Sequence, residues 1–136
     1  MPTSFHDKVT LRGFHWEYSS LTFNLNAAIT AADVSKAVSI DVSGPNKVKL
    51  AADGDAIVGR LATYEDRTVE GIKVGAVELQ FANTLPLGTG ASVGLAVGDT
   101  VQGAGAGAVK KAAANDPRKN FIAEIIGTTE VVVVQV

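Results

Sequence analysis

From residue 37 onward, apolar and polar side chains alternate in short runs, and a turn signal closes each run within a few residues. A period of two belongs to the β-strand, because it sends every second side chain to the same face of a sheet. Val38, Ile40 and Val42 alternate with Ser39, Asp41 and Ser43; Gly44-Pro45-Asn46 then supplies a turn. Val48 and Leu50 resume the alternation against Lys47 and Lys49, and Asp53-Gly54-Asp55 closes the second strand of a predicted hairpin. Residues 56–61 read as a short apolar strand, Glu65-Asp66-Arg67 as a polar turn, and residues 69–74 as a strand interrupted at Gly71. A further turn is expected at Gly75, followed by a strand in which Val77, Leu79 and Phe81 share one face. The fold class implied is all-β, a small barrel-like domain.

Glycine then becomes frequent, and residues 83–107 read as loops around small strands near 91–97 and 99–102. Residues 110–115 have the alanine content of a helical turn, but Pro117 and its polar neighbours limit any helix to about two turns. Residues 121–126 and 130–136 form the last two strands, at hairpin spacing around Gly127-Thr128-Thr129. The run Val131-Val132-Val133-Val134 can be buried on both faces, so this strand is expected inside a sheet or against a neighbour. One internal echo stands out: residues 54–59 and 98–103 both read Gly-Asp-x-x-x-Gly. Its content is a turn glycine, an Asp that bonds nearby amides, a short strand, and a glycine where backbones approach closely. Two similar turn-strand units in one barrel are expected.

A length of 136 residues fits one domain. Twelve basic against 14 acidic side chains give a net charge of −2, which offers no basic excess for a nucleic-acid backbone. The absence of cysteine excludes disulfides, thiol nucleophiles and Cys-type zinc sites. No apolar run nears the roughly 18 residues that span a bilayer, and the start lacks a charged stretch followed by an apolar one. A soluble protein, not exported by the usual route, is expected, with no membrane partner.

Motifs for chemistry are incomplete. Asp53 and Asp55 lack the further oxygen ligands of a calcium loop, so a turn explains them better and no metal site is expected. Gly103-Ala104-Gly105-Ala106-Gly107 ahead of Lys110 and Lys111 matches neither a P-loop nor a dinucleotide fingerprint; it reads as a small-residue loop suited to lying close to another chain. His6 and His15 are the side chains that titrate near neutrality, but no Ser or Asp is placed into a triad with either. The carboxylates are dispersed through turns, so no acid and base pair can be nominated. No catalytic residue and no cofactor is expected.

The aromatic distribution is the more informative signal. Phe5, Phe14, Trp16, Tyr18 and Phe23 fall in the first 23 residues, against Tyr64, Phe81 and Phe121 in the rest. Phe14, Trp16 and Tyr18 alternate with His15 and Glu17, which implies one aromatic face on an extended segment. Such side chains either pack onto the chain's own core or serve as anchors of an arm, since aromatics bury large areas at low entropy cost. The arm is expected over residues 1–24 and the β-rich domain over 25–136. Its partner-binding residues would be Phe14, Trp16, Tyr18 and Phe23, with Arg12, Lys8 and Asp7 at the rim.

The cadence of the domain resembles that of the bacteriophage head decoration, or capsid cement, proteins. It rests on Ile-Thr-Ala-Ala-Asp-Val (29–34), Lys-Val-Lys-Leu-Ala (47–51), Gly-Asp-Ala-Ile-Val-Gly-Arg-Leu (54–61), Val-Glu-Gly (69–71) and Val-Gly-Asp-Thr-Val (97–101), while the first 28 residues fall outside it. The resemblance implies a β-barrel or β-tulip domain without catalytic residues, on the outer capsid surface of a virion and made in the host cytoplasm. It implies the major capsid protein as partner and a homo-oligomer, commonly a trimer, with a dimer as the other state. An N-terminal segment that orders on the shell is part of that expectation. Two other classes stay open: a carbohydrate- or host-binding β-module of a fibre or adhesin, with exposed aromatics on a rigid sheet face, and a small hydrolase or lyase with a histidine beside a carboxylate.

Overall fold

The computed structural model describes residues 14–15 and 20–136, and it is almost entirely β. Among the described residues the short strand β1, Phe14–His15, comes first. Five of the strands that follow close into a barrel: β2 (Ser20–Leu25), β3 (Ala37–Ile40), β4 (Lys47–Leu50), β5 (Gly59–Leu61) and β7 (Ile72–Glu78). Their order is β2-β4-β3-β5-β7, and β7 returns to pair with β2. All these pairings are antiparallel except β2 with β4. Closure leaves the barrel without a free sheet edge along most of its wall. The remaining strand of this sheet, β6 (Glu65–Arg67), pairs with the start of β7 as a ribbon whose residues 65–72 are all exposed.

The alternation that predicts the barrel sorts its faces only in part. Ile40 and Val42, expected on the buried side with Val38, are exposed, while Ser39 and Asp41 are buried, where Ser39 donates to Asp55 and Asp41 accepts from Asn26. Val38, Val48, Leu61 and Val77 point inward with Leu25 and Ile29, and Phe23, Tyr64 and Leu79 pack partly buried against them. Their sequence neighbours Ala37, Arg60 and Glu78 are buried on the other side of the wall. There a second sheet lies, in the order β1-β8-β12-β11, built from β8 (Phe81–Pro86), β12 (Glu130–Gln135) and β11 (Asn120–Ile126) together with β1. Phe81, Leu85, Ile122, Val131 and Val133 of this sheet form one cluster with Ala37 and Ala51 of the barrel. Val101 and Val109 join it from a two-stranded sheet, β9 (Val101–Gly105) and β10 (Ala108–Lys111). The four-valine run lies in β12, between β8 and β11, and all four side chains are buried, as the sequence requires.

Several boundaries differ from those read in the sequence. Glu65-Asp66-Arg67 is a strand, and the turn falls at residues 68–71, where Glu70 N–H donates to Arg67 O and Gly71 N–H to Thr68 O. Gly75 lies inside β7, where a Cβ would sit 2.2 Å from Thr63 O; close backbone approach, not a turn, requires glycine there. The expected single strand through Val77 and Phe81 bends at residues 79–80, sending Leu79 to the barrel core and Phe81 to the second cluster. Residues 91–97 form turns rather than a strand, and residues 112–119 contain no helix. β2 draws residues 20–24, placed in the arm by sequence, into the barrel wall.

Candidate interaction surface

The aromatic segment meets the fold at two places. β1 pairs antiparallel with the start of β8, Phe14 opposite Ala82 and His15 opposite Phe81. Five residues after His15 the chain enters β2, where Ser20 lies opposite Glu78 and Phe23 opposite Gly75. Phe23, read from sequence as a partner anchor, is half-buried against the barrel core. Arg12, Trp16 and Tyr18 lie outside the described residues, as do Phe5, His6, Asp7 and Lys8. The aromatic side chains that are described, Phe23, Tyr64, Phe81 and Phe121, are buried or half-buried, and none is exposed.

Between the barrel and β8 lies an ionic seam. Arg60 stands on β5 and Glu78 beside it on β7, with Nη1 and Oε2 3.6 Å apart and both residues less than a tenth exposed. Arg60 Nε donates to Thr84 O of β8 at 2.9 Å. Burial lowers the guanidinium's pKa and the Glu78 carboxylate opposes that shift. Gln135, at the end of β12, donates from Nε2 to both Val58 O and Leu79 O, tying the second sheet to the barrel at the same seam.

At the other end of β7 the barrel opens into a groove of about 560 Å³. β2 parts from β7 at Asn24–Val74 and continues on β4 at Asn24–Lys47, so the β6–β7 ribbon and the β3–β4 turn stand apart as two walls. Pro45 and Ile72 line it, and the exposed Val42 and Val69 belong to the same two loops. Both of its lysines are engaged within the fold. Lys73 Nζ donates to Ala27 O and Ile29 O and lies over the Tyr64 ring. Lys47 faces Asp41, whose carboxyl is held well below the usual carboxylate range by Asn26 Nδ2, then by Ser43. Among the described residues no group of three or more His, Asp or Glu side chains is placed to hold a metal ion.

The Gly-Asp echo proves to be a shared local structure. Ala52 N–H donates to Asp55 Oδ2 at 3.0 Å while Asp55 N–H donates back to Ala52 O at 3.0 Å; Ala96 and Asp99 make the same two bonds at 2.9 and 3.2 Å. The expectation of two units in one barrel is corrected, because the second leads into β9 of the small sheet. The glycine-rich loop read as lying against another chain lies against this one: Gly103 exchanges backbone bonds with Gly54 and Asp55, and Gly107 with Ala37 and Ala51. No protein-family model matches the chain, and no curated protein matches it.

Proposed function

We propose that this is a structural protein of a phage particle, a non-enzymatic oligomer that binds the outside of the head and clamps neighbouring shell subunits through its aromatic N-terminal segment. The observation that carries this reading is the division of the aromatics. Phe23, Tyr64, Phe81 and Phe121 are withdrawn from the surface, while Trp16 and Tyr18 continue in the sequence the alternating aromatic stretch that begins at Phe14 of β1. A segment that orders on a partner spends conformational entropy, and aromatic anchors offset that cost. Among the described aromatic side chains none is displayed on a sheet face, as a carbohydrate-binding module would need. Repetition over many copies lets a modest contact reinforce a shell.

The test is co-sedimentation of the full chain, and of a chain lacking residues 1–19, with undecorated heads. The cut falls before Ser20 because β2 closes the barrel. Saturable binding by the full chain, abolished by the truncation, is expected; no binding by either removes the shell reading. Trp16→Ala is expected to weaken attachment by about 2 kcal/mol or more, the loss typical of an interface anchor, with the domain still folded. A matching loss of melting temperature in the free protein would instead make Trp16 a core residue.

A further inference from the structure

Between β8 and β9 the chain runs from Gly88 to Gly98 as a series of turns held at both ends: Gly88 N–H donates to Val109 O and Gly98 N–H to Ile122 O. Inside, Ala91 N–H donates to Gly88 O, Val93 N–H to Gly90 O and Leu95 N–H to Ser92 O. Ala91 and Leu95 pack against the cluster of Phe81 and Leu85, whereas Val93 and Val97 are 86% and 64% exposed. Charged side chains make up 19% of the chain, yet residues 79–109 contain one, Asp99. Its carboxylate accepts from Ala96 N–H and lies 3.6 Å from Lys111 Nζ. Burial explains the missing charge in the inward parts of β8 and β9. It does not explain it at Thr89, Val93, Ala96 and Val97, which are exposed.

We propose that this loop, with Val93 and Val97 at its centre, is the surface through which copies of the chain contact one another about a rotation axis. The occupant follows from charge. Around such an axis a residue meets its own counterpart, so a charge there meets a like charge, which opposes association. A surface free of charged side chains, with two outward valines, avoids that repulsion and offers apolar area to bury. Val42 and Val69, exposed to a similar degree, lack this setting: Val42 follows Asp41, and Val69 precedes Glu70. An unrelated partner imposes no such rule, since a charge on one protein can meet its opposite on the other. The loop is also pre-organised, because its turns are already bonded in the single chain and little conformational entropy is lost on contact. The inference rests on the oligomer in the proposed function and names the surface that builds it; it does not depend on the shell.

Sedimentation equilibrium of the full chain tests it, beside a variant combining Val93→Asp with Val97→Asp and, as a control, Val69→Asp. The full chain and the control are expected to sediment as the same oligomer. The double variant is expected to dissociate, its dissociation constant raised by about tenfold or more as like charges face each other across the axis. Its far-ultraviolet circular dichroism should be that of the unmodified chain, since both positions are exposed. An oligomer that survives both substitutions overturns this surface and leaves the oligomer itself standing. A full chain that stays monomeric up to its solubility limit overturns both, and co-sedimentation with heads then reports on the shell alone. Equal dissociation by Val69→Asp also overturns the proposal, because added charge anywhere would then suffice. Should the double variant not fold, Val93→Ser with Val97→Ser removes the apolar contact without adding charge; an unchanged dissociation constant in that variant overturns the proposal.

Discussion

One side-chain device recurs at the residue scale. Thr30 and Asp33 repeat the pair of bonds that joins Ala52 to Asp55 and Ala96 to Asp99: the first residue's N–H donates to the carboxylate three residues on, and that residue's N–H donates back to the first carbonyl. A lysine stands near each carboxylate: Lys36 at 2.9 Å, Lys49 at 3.5 Å and Lys111 at 3.6 Å. Asp55 carries a further bond that Asp99 lacks, since Ser39 Oγ, on a buried residue, also donates to it. Asp55→Ala is therefore expected to cost about 2 kcal/mol in denaturant unfolding, against about 1 kcal/mol for Asp99→Ala, whose carboxylate accepts a single amide bond. Equal losses would show that the Ser39 bond contributes nothing. Acid should act through the same groups. The Asp55 carboxyl lies below its ordinary 3.8 because of the Ala52 amide and Ser39, and that of Asp41 because of Asn26 and Ser43. A depressed folded value means stability that is complete above the ordinary value and lost as pH falls through the folded one. Thermal unfolding is thus expected to drop steeply below pH 3.8, and Asp55→Asn to remove part of that dependence. A pH profile unchanged by the substitution would contradict the assignment.

At the scale of elements, legibility followed side-chain size. β4 and β12 were readable, Val48 lying buried on the expected face and the four-valine run buried on both faces, whereas β3 was readable as a strand but not in its faces: Ile40 and Val42 are exposed while Ser39 and Asp41 are buried. β9 and β10 were only partly readable, since alanine and glycine carry little periodicity and the pair is held instead by backbone bonds of Gly103 to residues 54–55 and of Gly107, in its turn, to Ala37 and Ala51. β6 was missed for a related reason: an exposed ribbon has no buried face, so three charged residues look like a turn. The ionic seam was not legible, because nothing in the spacing of Arg60 and Glu78 announces that β5, β7 and β8 converge. The hairpin's dependence on backbone contact makes a sharp prediction at Gly103. A Cβ there would lie 2.2 Å from Ala52 O and 3.1 Å from the Ala51 Cβ, with backbone on one side and a core residue on the other. Gly103→Ala is expected to destabilise by about 1–3 kcal/mol in equilibrium unfolding, the range for an overpacked interior. No loss at all would mean that the small sheet can withdraw from residues 51–55 without consequence.

At the scale of the whole molecule, the two hydrophobic clusters share a wall. Ala37 belongs to the outer cluster and Val38 to the barrel interior; Ala51 and Val48, at the end of β4 and within it, divide in the same way. The seam adds directional ties, Arg60 to Thr84 O and Gln135 to Val58 O and Leu79 O, so neither sheet can open without exposing both apolar and polar groups of the other. Such a construction should unfold as one unit rather than barrel first and second sheet later. Leu61 and Leu85 test it from opposite sides of the wall, each being fully buried in a different cluster. Leu61→Ala and Leu85→Ala are each expected to cost about 2–5 kcal/mol, the range for emptying a core leucine site. In calorimetry each variant should shift a single transition to lower temperature. If Leu85→Ala instead splits the transition, with the barrel melting at its original temperature, the second sheet is a separately folding layer. The shared wall would then be a contact surface rather than a common core.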